Sequence, residues 1–261
     1  MAGISPIAAA RPSRALVAAA ILATALFCGP ADAAASEPCL RQSFEGAGYA
    51  ICAFDPRRDD IRVFWKAGDG KPFGKFQALA DALKSHGLSL RFAVNGGIFQ
   101  ENFTPLGLYV EDGRELHRVD QRDGASNFHL KPNGVFYVGA GSVGVLETAR
   151  FLGLAPQARY ATQSGPMLVI DGKLHPKIQP TGTSAKIRNG VGVRADGQAV
   201  FAISDGPVTF HAFARLFRDR LGCPNALYLD GSISSLYAPA LGRSDDVWPL
   251  GPMIGVVGPQ P

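Results

Sequence analysis

The chain has no run of five like charges, no Gly-X-Y period, no CxxC pair and no HExxH helix. Missing charge runs and a net charge of only +4, from 26 basic and 22 acidic residues, exclude the concentrated basic footprint of a nucleic-acid or anionic-membrane binder. The absent motifs leave a redox dithiol or a zinc-metalloprotease site without support. Histidine is scarce, and His86, His117, His129, His175 and His211 lie in separate segments with no ligand-like spacing. They read as surface or packing residues. Beyond the N-terminal segment no apolar run approaches the roughly 18 residues of a membrane helix. What is present is ample apolar material, 46% of 261 residues, which excludes a disordered chain.

The first segment reads as an address. Arg11 and Arg14 precede an apolar stretch, Ala15 to Phe27, followed by Gly29, Pro30 and Ala31-Asp32-Ala33. A basic start, an apolar middle and an A-x-A site define a secretory signal peptide. Cleavage after Ala33 divides the chain into a signal peptide, 1–33, and a mature domain, 34–261, that is periplasmic or secreted. Bulky Phe27 before Cys28 argues against a lipoprotein signal. Export places Cys39, Cys52 and Cys223 in an oxidising compartment. Cys39 and Cys52 flank a short Gly-containing segment, and a hairpin there would bring them into a disulfide. Cys223, among Leu221, Leu227 and Tyr228, reads as a buried inert thiol.

The mature segment reads as strands in hairpins with two helices. Strands are expected over 49–54, 61–66, 90–94, 106–110, 134–138, 167–170, 191–193, 199–204 and 226–229, several closing on Asp-Gly turns. Apolar spacing predicts helices over 76–86 and 211–221, stopped by Gly87 and Gly222. No βαβαβ alternation occurs. The expectation is one α+β domain, a mixed or antiparallel sheet with a few flanking helices.

Polar residues gather after the apolar strands. Asn95-Gly96-Gly97 follows the strand at 90–94, with Glu101 close behind; it is either a plain turn or a backbone concavity for an anion. Gln163-Ser164-Gly165 offers a loop-borne amide and hydroxyl suited to sugar hydroxyls, or again a turn. Arg188 offers a planar fork for phosphate, or a solvated surface charge. Asp230-Gly231-Ser232-Ile233-Ser234-Ser235 is an unusually polar start after Leu227-Tyr228-Leu229. Its acid is either a catalytic carboxylate or a helix N-cap. Asp205-Gly206 is a weaker copy of it. A serine hydrolase built on Ser164 or Ser234 lacks a base partner.

Taken in order, FAVNGGIF (92–99), PLGLYVEDG (105–113), NFHLKPNGVFYV (127–138), QSGPMLVIDGKLHP (163–176), IRNGVGV (187–193) and ALYLDGSISSLY (226–237) resemble the phosphodiester glycosidase family, in its exported bacterial branch. The chain departs from the pattern at Ser232, where many members carry a second glycine.

The resemblance implies cleavage of a sugar-1-phosphodiester at the anomeric carbon. It makes Asp230, Glu101 and Asp205 the candidate acids. It makes Asn95, Gly96, Gly97, Asn133, Gln163, Ser164, Gly165, Arg188, Gly231, Ser232, Ser234 and Ser235 the candidate substrate-binding residues. No cofactor is expected; Asp and Asn side chains would suit Mg²⁺ or Ca²⁺, but no ligand spacing demands a metal. The partner is a carbohydrate phosphodiester on a glycan or envelope polymer, with no nucleic acid and no membrane span in the mature chain. The competing reading is a non-catalytic periplasmic carbohydrate- or polymer-binding protein using the same cleft. Retention of all three acids favours the enzyme.

Overall fold

The computed structural model describes residues 1–3 and 37–260. Except for its first three residues, the expected signal peptide therefore lies outside the described residues. Glu37–Pro261 is one compact unit, and it is dominated by antiparallel sheet.

Seven strands run in the order Cys39–Phe44, Ala47–Phe54, Ala199–Ser204, Asn189–Val193, Asn225–Tyr228, Met167–Ile170 and Lys173–Leu174. Every pairing among them is antiparallel. A five-stranded sheet joins Arg243–Ser244, Leu236–Ala238, Leu88–Asn95, Met253–Pro259 and Asp60–Phe64. Another joins Arg114–His117, Tyr109–Glu111, Tyr160–Ser164, Gly134–Gly139 and Ser142–Glu147. Of the mixed and antiparallel alternatives, the second holds in every sheet among the described residues. Helix is confined, among the described residues, to short pieces, so the α+β expectation leans far to its β side.

Alternation along the strands builds two cores, one on each face of the large sheet. In Asn225–Tyr228 and its continuation, Leu227 and Leu229 join the central core with Phe54, Phe92, Phe136 and Phe201. Ala226 and Tyr228 point the other way, to Phe213, Leu216 and Phe217. The helix Phe76–Lys84 buries Phe76, Leu79 and Leu83, its expected stripe. The second expected helix divides. Phe210–Arg215 is α-helical, and Leu216–Arg220 widens into a π turn, with Leu221 N–H donating to Leu216 O. Phe213 and Phe217, four residues apart, lie on one face and both reach the core. The strand expected at 106–110 begins only at Tyr109, because Leu108 N–H is taken by the Gln163 side chain.

The first hairpin sets Cys39 directly opposite Cys52, and the two form a disulfide. Cys223 is free and buried, and burial pushes its thiol up to about 12. No helix of the described residues is long and apolar enough to cross a membrane.

Candidate functional site

Two buried asparagines tie three strand ends together. Asn95, at the end of Leu88–Asn95, donates through Nδ2 to the Asp230 backbone oxygen at 2.8 Å. Its Oδ1 accepts from Ser235 N at 2.9 Å and from Asn189 Nδ2 at 2.9 Å. Ser234 Oγ donates to Ile187 O at 3.1 Å. The 230–235 segment is thereby fixed against two sheets at once. Ser234 and Ser235 do this structural work, while Ser232 is exposed.

A cavity of about 400 Å³ opens beside that knot, walled by segments 98–101, 126–127 and 230–233, with Tyr228. Asp230 and Glu101 both line it, as do Gly231 and Ser232. Burial pushes the Asp230 carboxyl above the ordinary aspartate range, opposed by the Ser232 N–H at 2.9 Å and the charge of Lys186. Lys186 stands on the small ribbon that pairs Ala185–Lys186 with Val208–Thr209. A Cβ at position 231 would overlap the Tyr228 hydroxyl, so glycine there lets the polar segment pass over the ring.

Arg188 is not a surface charge. It is fully buried, 0% exposed, and lies behind the cavity rather than in its wall. Nε donates to Val208 O at 2.9 Å, Nη1 to the Tyr228 hydroxyl at 3.2 Å and Nη2 to Ser184 O at 2.8 Å. Its plane stacks on Phe210, 3.5 Å from the ring centroid. Among the described residues no carboxylate pairs with it. Burial pushes the guanidinium down, and Tyr228 holds it up. The phosphate fork expected of Arg188 therefore has no direct opening to the cavity.

Most other expected binders are engaged by the scaffold, while the Ser164 hydroxyl is buried with no hydrogen-bond partner among the described residues. Gln163 and Ser164 belong to the buried strand Tyr160–Ser164 and are not loop-borne. Gln163 Oε1 accepts from Leu108 N and Asp120 N, both at 2.9 Å, and Nε2 donates to Asp120 O at 2.7 Å and Thr148 Oγ1 at 3.2 Å. Asn133 donates to Phe128 O and accepts from Thr148 Oγ1. Gly165 packs against Phe128 O and Asn133. The Gly96 N–H is spent on Pro252 O at 2.7 Å. A Cβ at Gly97 would run into Gln163 O and Thr162 Oγ1, so the close approach made by this turn is to a neighbouring strand. Asp205 stands apart from the cavity, ion-paired to Arg243 at 3.2 Å and Arg41 at 3.5 Å. No three His, Cys, Asp or Glu side chains gather as a metal site among the described residues.

Residue-by-residue reading passed over Tyr228, Asn189 and Lys186. Tyr228 sits between two leucines and reads as core. The available signal is its spacing two residues before Asp230, which puts its hydroxyl at the end where the acid emerges.

An acid at a cavity, with a second acid on another wall, suits a hydrolase of the glycosidase class. Residues 89–257 match the phosphodiester glycosidase family, and the chain belongs to it. It is 36% identical over 206 residues to the uncharacterized protein YigE of Escherichia coli (strain K12), covering 79% of this chain and 78% of that one. Its fold resembles the catalytic domain of zebrafish N-acetylglucosamine-1-phosphodiester alpha-N-acetylglucosaminidase, auto-inhibited by its pro-peptide: TM-score 0.55, 18% identity, 84% of this chain and 80% of that one. A hypothetical protein from Synechocystis is similar at TM-score 0.52 and 15% identity, over 84% of this chain and 61% of that one.

Proposed function

We propose that the chain is an exported hydrolase that cleaves a sugar-1-phosphodiester on a glycan or envelope polymer. The observation that carries this reading is Asp230, a carboxyl raised by burial in a cavity it shares with Glu101. A phosphodiester is a fair leaving group, so the bond between the anomeric carbon and phosphate oxygen needs little protonation to break. The harder requirement is a base for the attacking water. Asp230 fills it, because a raised carboxylate accepts a proton better than an ordinary one. Glu101 offers a second negative charge for the positive character that develops at the anomeric carbon. Asp205, outside the cavity, has the structural task of joining Arg41 and Arg243. The signal peptide over 1–33 and the Cys39–Cys52 disulfide fit a periplasmic or secreted enzyme.

The test is a panel of sugar-1-phosphodiesters followed by phosphorus NMR and sugar analysis of the products. Free sugar together with a phosphomonoester supports the reading. Binding without turnover across the panel moves the protein to the carbohydrate-binding class.

A further inference from the structure

Arg188 poses a chemical question that the scaffold does not answer. A buried cation requires hydrogen bonds and, in most proteins, a carboxylate. Here its named partners are two backbone oxygens, the Ser184 hydroxyl and the hydroxyl of Tyr228. Of those partners, Tyr228 lines the cavity, 1% exposed and with its hydroxyl against the Gly231 backbone. The Tyr228 hydroxyl accepts from Arg188 at 3.2 Å. Its own proton is left to give away, and among the described residues no hydrogen-bond acceptor receives it. Burial pushes the phenol up to about 12, so it keeps that proton throughout the ordinary pH range.

We infer that the Tyr228 hydroxyl, backed by Arg188, donates a hydrogen bond to the phosphate of the bound diester and stabilises the departing phosphate oxygen. The inference rests on the sugar-phosphodiester reading above and names the group that meets the phosphate. As water attacks the anomeric carbon, the carbon–oxygen bond to phosphate breaks and its electron pair moves onto the phosphate oxygen. The proton of the water passes to Asp230. Tyr228 keeps its own proton throughout and only strengthens its hydrogen bond as charge grows on that oxygen. The charge of Arg188 acts through the hydroxyl, and the Phe210 and Tyr228 rings keep the guanidinium itself out of the cavity. This relay also offsets the repulsion that an anionic diester would meet from Asp230.

The decisive variant is Tyr228→Phe, which keeps the ring and removes the donor. On a sugar-1-phosphodiester kcat should fall about 10²-fold, the usual cost of one transition-state donor. By calorimetry, affinity for the corresponding sugar-1-phosphate should fall roughly tenfold while affinity for the free sugar is unchanged. A variant within twofold of the parent in both measurements overturns the inference, and so does a parent that binds the sugar-1-phosphate no better than the free sugar. The two readings separate cleanly. If the parent turns over no diester but Tyr228→Phe still weakens sugar-1-phosphate binding selectively, the enzymatic reading fails and the phosphate donor stands. Should Tyr228→Phe not fold, 3-fluorotyrosine at position 228 retains the hydroxyl and makes it a stronger donor. Tighter sugar-1-phosphate binding is then expected, and unchanged or weaker binding contradicts the proposal.

Discussion

Asn189 Nδ2 donates to Asn95 Oδ1 at 2.9 Å, from a strand of the large sheet to the end of a strand in another. The same Asn95 side chain holds the Asp230 backbone, so the carboxyl is positioned by side-chain amides from two sheets. Asn189→Ala should leave Asn95 partly unsatisfied and cost about 1–3 kcal/mol. Chemical denaturation measures the cost. Because Asn95 also sets Asp230, turnover should fall more than stability alone explains. Full activity in the folded fraction would contradict the coupling.

Gln163→Leu tests whether that amide belongs to scaffold or ligand. Its four buried hydrogen bonds predict a loss of at least about 2 kcal/mol, since Leu108 and Asp120 keep backbone groups with no partner. KM of the surviving folded protein should stay near the parent's. A large KM change at parental stability would return Gln163 to the substrate.

The Cys39–Cys52 bridge closes a loop with a sequence separation of 13. Cys52→Ser should lower stability by about 2–4 kcal/mol. Non-reducing peptide mapping of the parent should find this pair joined and Cys223 free. A bridge containing Cys223 would contradict the assignment.

Asp230 sets a stability cost that depends on pH. Its folded-state pKa is raised by burial, so its contribution to stability is intact below the unfolded aspartate value. That contribution is lost as pH rises through the folded value. At neutral pH, Asp230→Asn should therefore melt at or above the parent temperature, and the difference should vanish in acid. A variant less stable than the parent at neutral pH would contradict the direction of the shift.

Much of the sheet was legible because its signals are local. Asp112-Gly113, Asp171-Gly172 and Asp196-Gly197 all close antiparallel hairpins, where only short-range geometry matters. The position of Asp230 at the end of an apolar strand was legible because Leu227-Tyr228-Leu229 directly precede it. The roles of Gln163 and Arg188 were not, because burial is decided by distant partners. Leu108 and Asp120 stand 55 and 43 residues from Gln163, and Tyr228 stands 40 from Arg188. The pairing of Asp205 with Arg41 and Arg243 is likewise set by sheet order and not by neighbours in the chain. The wider turn after Arg215 was not legible, because the apolar positions 213, 216, 217 and 221 read the same with or without it.

The central claim is that Asp230 performs proton transfer and does not merely cap a turn. Asn would hold the Ser232 N–H about as well as Asp does, so Asp230→Asn separates the two roles. Turnover of a sugar-1-phosphodiester and thermal melting should be measured on one preparation of each protein. A fall in kcat of about 10²-fold or more, with melting at or above the parent temperature, is the result expected of a general base. A variant that melts like the parent and keeps near-parental turnover would remove Asp230 from the chemistry and contradict the account.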